Sequence, residues 1–278
     1  MKVYIATDME GISGIVDRAQ ISPPGVDLRR GRTLLTEDTN AAIRGALAAG
    51  ATEIVVSGGH GGNGMRNILD EDLHPAAWLV SGDSRRSSLE GMDQSFSAVV
   101  LIGFHTRHGL SGVLDHTITA RDVYEIRVHG RPIGEIGLYG LAAGHRGVPV
   151  VLVSGDDRLV AETQEWFPWA VPVVVKYAIG RHAARLMHPA RAQQLIEQTT
   201  TEALRSLDRM KPLRVPEPVD VEIQFKRTAH ADEADRVPGV ERVDDCTVRA
   251  RAPDAAAAGS LIRTCLKLGA TAQNDPMR

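Results

Sequence analysis

Residues 1–10, MKVYIATDME, decide how this chain is read. Val3 and Ile5 lie at strand spacing in a short apolar run that ends abruptly in Asp8 and Glu10. A Gly-Ile-Ser-Gly turn, residues 11–14, follows at once. In an extended backbone, residues i and i+2 point to the same side, so both carboxylates project together from the mouth of a strand. Two close carboxylates resist joint ionisation unless a cation neutralises them. The rest of the chain is therefore searched for what completes a cation site.

Composition narrows the search. The 278 residues suffice for one large domain or a large and a small one, and 43% hydrophobic residues can fill a real core. The 32 basic and 35 acidic residues nearly cancel, with no run of Lys or Arg, which argues against nucleic acid and anionic membranes as partners. Cys246 and Cys265 fit no CxxC spacing and read as ordinary reduced thiols. The N-terminal apolar run is broken by Asp8 and Glu10 before a signal peptide would be complete. No window approaches 18 consecutive apolar residues, so a soluble, cytoplasmic protein is expected.

Beyond the first strand, residues 33–49 have helical spacing, with Gly50 after them as a cap. TEIVVS (52–57) is a β-branched strand ending in Gly58-Gly59-His60, and AVVLIGF (98–104) is the most apolar strand, ending in His105. Residues 78–80 read as a short strand and 117–129 alternate weakly. A helix is expected over 133–143, strands over 148–154 and 172–177, and helices over 158–166 and 189–207, the last with Pro in its first turn. Apolar strands alternating with helices predict an α/β fold with a mainly parallel sheet and helices on both faces. The Pro-rich segment 211–218 marks a boundary. Past it, a strand over 219–225, two short strands within 237–250 and an Ala-rich helix over 254–268 form a small α+β appendage. The division expected is thus 1–212 for the catalytic unit and 213–278 for the C-terminal unit.

Three apolar strands end in a candidate ligand: Asp8 with Glu10, His60 and His105. Open parallel sheets bind ligands outside the carboxyl ends of their strands, so these residues would meet at one edge. Two carboxylates and two imidazoles suit zinc or another borderline first-row ion. Singly, each residue has a plainer explanation, since a strand-end Asp often caps a helix and a lone His is often structural. The recurrence at strand ends is what those explanations handle badly. His116, in GVLDHT, stands open as another ligand, a proton-transfer group or a loop residue. Gly59-His60-Gly61-Gly62-Asn63-Gly64 satisfies G-x-G-x-x-G, but a doubtful short helix follows, so a dinucleotide site has weak support. Asp156-Asp157 reads as a cap for the helix after it.

With these residues in view, the chain resembles the zinc-dependent D-aminopeptidases of the dipeptide-operon DppA type. The resemblance runs through nearly the whole length. It is densest in DMEGISG (8–14), Gly103-Phe104-His105, GVLDH (112–116), RPIGEIGL (131–138) and Gly155-Asp156-Asp157. It implies a dinuclear zinc site with Asp8, Glu10, His60, His105 and Glu135 as ligands, Asp8 bridging, and His116 as the catalytic histidine. Glu135 comes from the resemblance alone, because a Glu in a helix's first turn usually just complements the dipole. A ring-shaped homo-oligomer, a decamer, is also implied. The chain departs from the family at Gly58-Gly59, where members carry a polar, acidic stretch before the matching histidine. Outer partners orient metal-bound imidazoles, so the departure loosens His60 or moves its partner elsewhere.

The resulting expectation is an aminopeptidase that removes N-terminal D-amino acids from short peptides, using two zinc ions per chain. Two alternatives stand beside it: a dinuclear hydrolase of another amide or a phosphoester, and a non-catalytic peptide-binding protein.

Overall fold

Runs of Val and Ile too apolar to face water set the architecture of the computed structural model, which describes residues 1–272. The chain runs β1 (Lys2–Thr7), α1 (Leu28–Ala48), β2 (Glu53–Gly58), β3 (Ala77–Val80) and β4 (Ala98–Ile102). Next come β5 (Val123–Val128), β6 (Arg131–Pro132), α2 (Glu135–His145), β7 (Val150–Asp156) and α3 (Leu159–Trp166). There follow β8 (Val171–Gly180), β9 (Ala183–Leu186) and α4 (Pro189–Arg205). The tail adds β10 (Val219–Phe225), α5 (Thr228–Ala234), β11 (Val240–Arg242), β12 (Thr247–Ala252) and α6 (Ala255–Thr271).

Seven strands form the main sheet in the order β3-β2-β1-β4-β7-β8-β9, parallel except for β9 at one edge. Strand alternation sorts the core into two clusters. Val3 and Ile5 of β1 pack on the side covered by α1 and α4, with Ile43 and Ile196. Tyr4 and Ala6 face the other side, with Phe104, Tyr139 and Leu159 of the α2 and α3 layer. β4 is buried on both faces, as a central parallel strand must be. The fold is therefore α/β with helices on both faces of a mainly parallel sheet, together with an α+β appendage.

That appendage is built on a second, antiparallel sheet, β11-β12-β10-β5-β6. Its middle strand pairs with β5, so residues 123–128 belong here and not to the parallel sheet. The weak alternation of 117–129 has this origin: Val123, Ile126 and Val128 are buried while Tyr124 and Arg127 face out. The second sheet thus begins ahead of residue 212 and is completed after it. Helix α6 packs on α2, and residues before and after 212 share one apolar cluster. Among the described residues, no helix is long and apolar enough to cross a membrane.

Strand order places the site. From β1 the chain steps outward to β2 and β3, then crosses back to lay β4 on the opposite side of β1. This reversal opens a crevice at the carboxyl ends of β1 and β4, where open α/β sheets bind ligands. Registers Thr7↔Gly58 and Thr7↔Ile102 bring the ends of β1, β2 and β4 level.

A chain ending at residue 212 loses β10, the strand that covers the edge of β5 and helps bury Val123, Ile126 and Val128. It is expected to aggregate, and to give no cooperative thermal transition by circular dichroism.

Candidate metal centre

Asp8 sits one residue past β1, and its buried carboxylate reaches a different imidazole with each oxygen. Oδ1 lies 3.4 Å from His60 Nδ1, and Oδ2 lies 3.3 Å from His105 Nε2. Glu10 Oε2 stands 3.0 Å from the same His60 nitrogen. Glu135, the first residue of α2, puts Oε1 3.3 Å from His105 Nε2 and 3.7 Å from His116 Nε2. The His105 and His116 rings stack, with centroids 4.1 Å apart and planes 6° from parallel. All six predicted residues therefore converge, including the two that lie in a loop and at a helix start.

Which ring nitrogens face inward is fixed from behind. His60 Nε2 lies 2.8 Å from the Ile21 carbonyl, His105 Nδ1 3.0 Å from that of Thr106, and His116 Nδ1 2.9 Å from that of Leu114. A carbonyl only accepts, so each of these nitrogens carries the hydrogen. In the neutral rings the inward nitrogens are then bare, facing carboxylates that are also acceptors. Asp8 Oδ2 and His105 Nε2 are sealed from solvent and make no hydrogen bond among the described residues. Buried acceptors turned on one another need a cation between them.

Donor spacing fits a metal ion. Two ligand atoms around a tetrahedral zinc, each at ~2.0–2.1 Å, stand ~3.3 Å apart. One donor atom each from Asp8, Glu10 and His105 lies within 4.8 Å of the others, as do donors of His105, His116 and Glu135. The mix of imidazole and carboxylate is the one that zinc accepts.

Without a metal, protons answer the same demand. Burial alone pushes the Asp8 carboxyl up, but the His105 and His60 rings outweigh it and hold Asp8 well below the usual carboxylate range. Burial also opposes charge on Glu135, and His105 brings it down. Against their own burial, His60 is raised well above 6.5 by Glu10 and Asp8, and His105 by Glu135 and Asp8.

Several supporting groups have no motif. Lys176, in the middle of β8, is fully buried, and its ammonium donates to the carbonyls of Glu10, Ile12 and Ile15 at 2.5, 3.0 and 2.7 Å. Burial pulls it down to about 8, partly offset by the charges of Asp156, Glu10 and Asp38. A lone Lys inside the apolar run VPVVVKY was the available signal. Asp38 of α1 accepts from Ser13 N and Oγ at 3.0 and 2.9 Å. Asp156 takes the capping part expected of it, accepting from Arg158 N and Leu159 N. Its other oxygen holds Val113 N at 2.6 Å, fixing the loop before His116. His108 points instead to Asp115, 3.8 Å away, and to the Tyr124 ring.

The departure at Gly58-Gly59 is resolved by the Ile21 carbonyl, which supplies the outer partner of His60 from a different loop. Gly62 permits that bond, since a Cβ there would lie 2.6 Å from His60 Nε2 and 2.8 Å from the Ile21 oxygen. The G-x-G-x-x-G run leads only into a short 3-10 turn, Gly62–Met65, so no α-helix N-terminus follows to receive a phosphate.

Comparison with known proteins gives the family. The sequence profile of the D-aminopeptidase family matches residues 1–264. A D-aminopeptidase of Bacillus subtilis (strain 168) is 37% identical over 256 residues, covering 91% of this chain and 92% of that protein. The fold is similar to a solved structure described as the Zn-dependent D-aminopeptidase DppA from Bacillus subtilis, a self-compartmentalizing protease. The TM-score is 0.93 at 35% identity, over 97% of this chain and 98% of that one.

Two outcomes follow from the centre. Raised His60 and His105 mean that the metal-free folded chain binds protons more tightly than the unfolded chain. That stabilisation is complete below about pH 6.5 and is lost as pH rises through the raised values. Calorimetry of metal-free protein should show the thermal midpoint falling above pH 6.5, and zinc saturation, which replaces those protons, should remove the fall. Gly62→Ala should weaken zinc binding about 10–100-fold, measured by competition with a chromophoric chelator.

Proposed function

The chain belongs to the D-aminopeptidase family, and from that premise we propose that it is a zinc-dependent aminopeptidase removing N-terminal D-amino acids from short peptides. The observation that carries the reading is Asp8, whose two oxygens face two different imidazoles at 3.4 and 3.3 Å. A carboxylate shared in this way supports two ions per chain. Asp8, Glu10 and His60 would hold one, and Asp8, His105 and Glu135 the other. Bound zinc supplies a Lewis acid for the scissile carbonyl and lowers the pKa of water toward neutrality.

His116 is the group for proton transfer. Its Nδ1 hydrogen is committed to the Leu114 carbonyl, which leaves the Nε2 lone pair toward the centre. That atom takes a proton from the attacking water and returns it to the leaving amine. The hydrogen bond from His116 N to the Thr106 carbonyl, at 3.3 Å, ties the loop to the strand end that carries His105. Arg181 grips the same loop through the Asp115 side chain and carbonyl, both at 2.9 Å.

The same reading takes residues 1–212 as the catalytic unit and 213–278 as the small C-terminal unit that completes it. It also takes a ring-shaped homo-oligomer, a decamer, supported by the self-compartmentalizing relative. A cytoplasmic setting is supported by the two free cysteines, Cys246 and Cys265.

The test is elemental analysis of protein purified without chelator, with alanine release from D-Ala-D-Ala and L-Ala-L-Ala assayed on the same sample. About two zinc per chain with selective cleavage of the D-peptide is expected, two being the count of a cocatalytic site. Metal with neither peptide cleaved would redirect the reading to other amides and phosphoesters. His116→Ala should lower turnover about 10²–10⁴-fold with zinc content unchanged. Loss of zinc in that variant would make His116 a ligand instead.

A further inference from the structure

Tyr139 lies one helical turn after Glu135 on α2, and residues i and i+4 share a helix face. Its ring is buried, 6% exposed, and packs edge-on against Phe104 with centroids 5.0 Å apart. The hydroxyl rests on the backbone of Gly59. A Cβ built at Gly59 would lie 2.4 Å from the phenol oxygen and 2.9 Å from the Thr7 carbonyl oxygen. Gly59 directly precedes His60, and Thr7 directly precedes Asp8. The hydroxyl therefore stands against the segment that leads into His60, at a point where a side chain would also meet the carbonyl that leads into Asp8.

Among the described residues, no group accepts a hydrogen bond from this hydroxyl. The hydroxyl oxygen is not among the atoms sealed from solvent, so it is the open end of an otherwise buried ring. Burial, and then the charges of Asp8 and Glu135, oppose its ionisation, so it stays a neutral donor. The other side chains at the centre offer acceptors: the carboxylates of Asp8, Glu10 and Glu135, and the inward ring nitrogens. None of these groups carries a neutral O–H, and Tyr139 supplies one.

We propose that the Tyr139 hydroxyl is a further catalytic group, donating a hydrogen bond to the peptide carbonyl oxygen as that oxygen becomes tetrahedral and negative. The role rests on the aminopeptidase reading above. A donor already in place where negative charge develops stabilises the transition state more than the ground state. Gly59 is the matching requirement on the facing strand end, because any side chain there would occupy the hydroxyl's position.

The experiment is Tyr139→Phe, read in three ways against the wild-type protein. The kcat for D-Ala-D-Ala should fall about 10²–10³-fold with KM little changed. Affinity for the phosphinate isostere of D-Ala-D-Ala, a tetrahedral anion, should fall in parallel by calorimetry. Zinc content and thermal midpoint should stay as in the wild type. Gly59→Ala provides a second variant, since its Cβ meets the hydroxyl at 2.4 Å but the ring Cζ at only 3.4 Å. It should weaken phosphinate binding in the wild-type background and add little to Tyr139→Phe. Unchanged kcat and phosphinate affinity in Tyr139→Phe overturn the proposal, as do losses that track zinc content or that add up in the double variant. A wild-type protein that neither cleaves D-Ala-D-Ala nor binds the phosphinate overturns the aminopeptidase reading, and this inference with it.

Discussion

A buried carboxylate between two imidazoles is the constraint on which this structure turns. Asp8 is almost fully removed from water, where an uncompensated charge would be strongly disfavoured. It stays ionised because positive charge, proton or metal, is available on both sides, at His60 and at His105. The sheet order makes this possible. β1 lies between β2 and β4, so a residue at its end has one neighbouring strand end on each side. A carboxylate at an edge strand would have had a neighbour on one side only, and could not be shared between two imidazoles in this way.

The second layer around the centre is made largely of main chain. Carbonyls of Ile21, Thr106 and Leu114 fix the hydrogens of the three histidines, and each comes from a loop. Those loops need restraint of their own, and buried charges provide it. Lys176 gathers three carbonyls of the turn after β1, and Asp38 holds Ser13 in the same turn. Both charges are buried but hydrogen-bonded, the condition under which such groups are tolerated. Removing the Lys176 ammonium would leave three carbonyls without that donor, so its contribution is chiefly to hold one loop conformation.

What the sequence made legible follows the range of each interaction. Apolar alternation is local, so the strands ending at Asp8, His60 and His105 could be found from their own residues, and the end-of-strand rule brought them together. The boundary of 219–225 was legible for the same reason. Pairing partners are not local: nothing in residues 123–128 says that they join a strand almost a hundred residues later, and so 117–129 read only as weak alternation. A helix start and a loop carry no periodic signal, so His116 stood open among three roles until the resemblance chose one, and Glu135 was singled out by the resemblance alone. Ile21 and Thr106 contribute through carbonyls, which every residue has, so no side-chain pattern could mark them.

Among the described residues, those from 213 onward supply none of the centre's groups, yet they hold Glu135 from two directions. Helix α6 packs on α2, and α2 is too apolar around its circumference, EIGLYGLAAGH, to stand on the main sheet alone. Covering its outer face leaves Glu135 at a fixed helix start, where the first-turn position also favours a negative charge. The other oxygen-binding contact of Glu135 is the Ile118 amide, which donates to Oε1 at 2.8 Å. Ile118 has a φ of 60°, in the left-handed region that β-branched residues rarely enter. The loop is kept there by the segment after β10 and by α5: Lys226 donates to the Ala120 carbonyl at 2.6 Å, and His230 Nε2 stands 3.5 Å from Asp122 Oδ1. An appendage that touches no reacting atom thus sets where one carboxylate of the centre lies, through a helix on one side and a strained loop on the other.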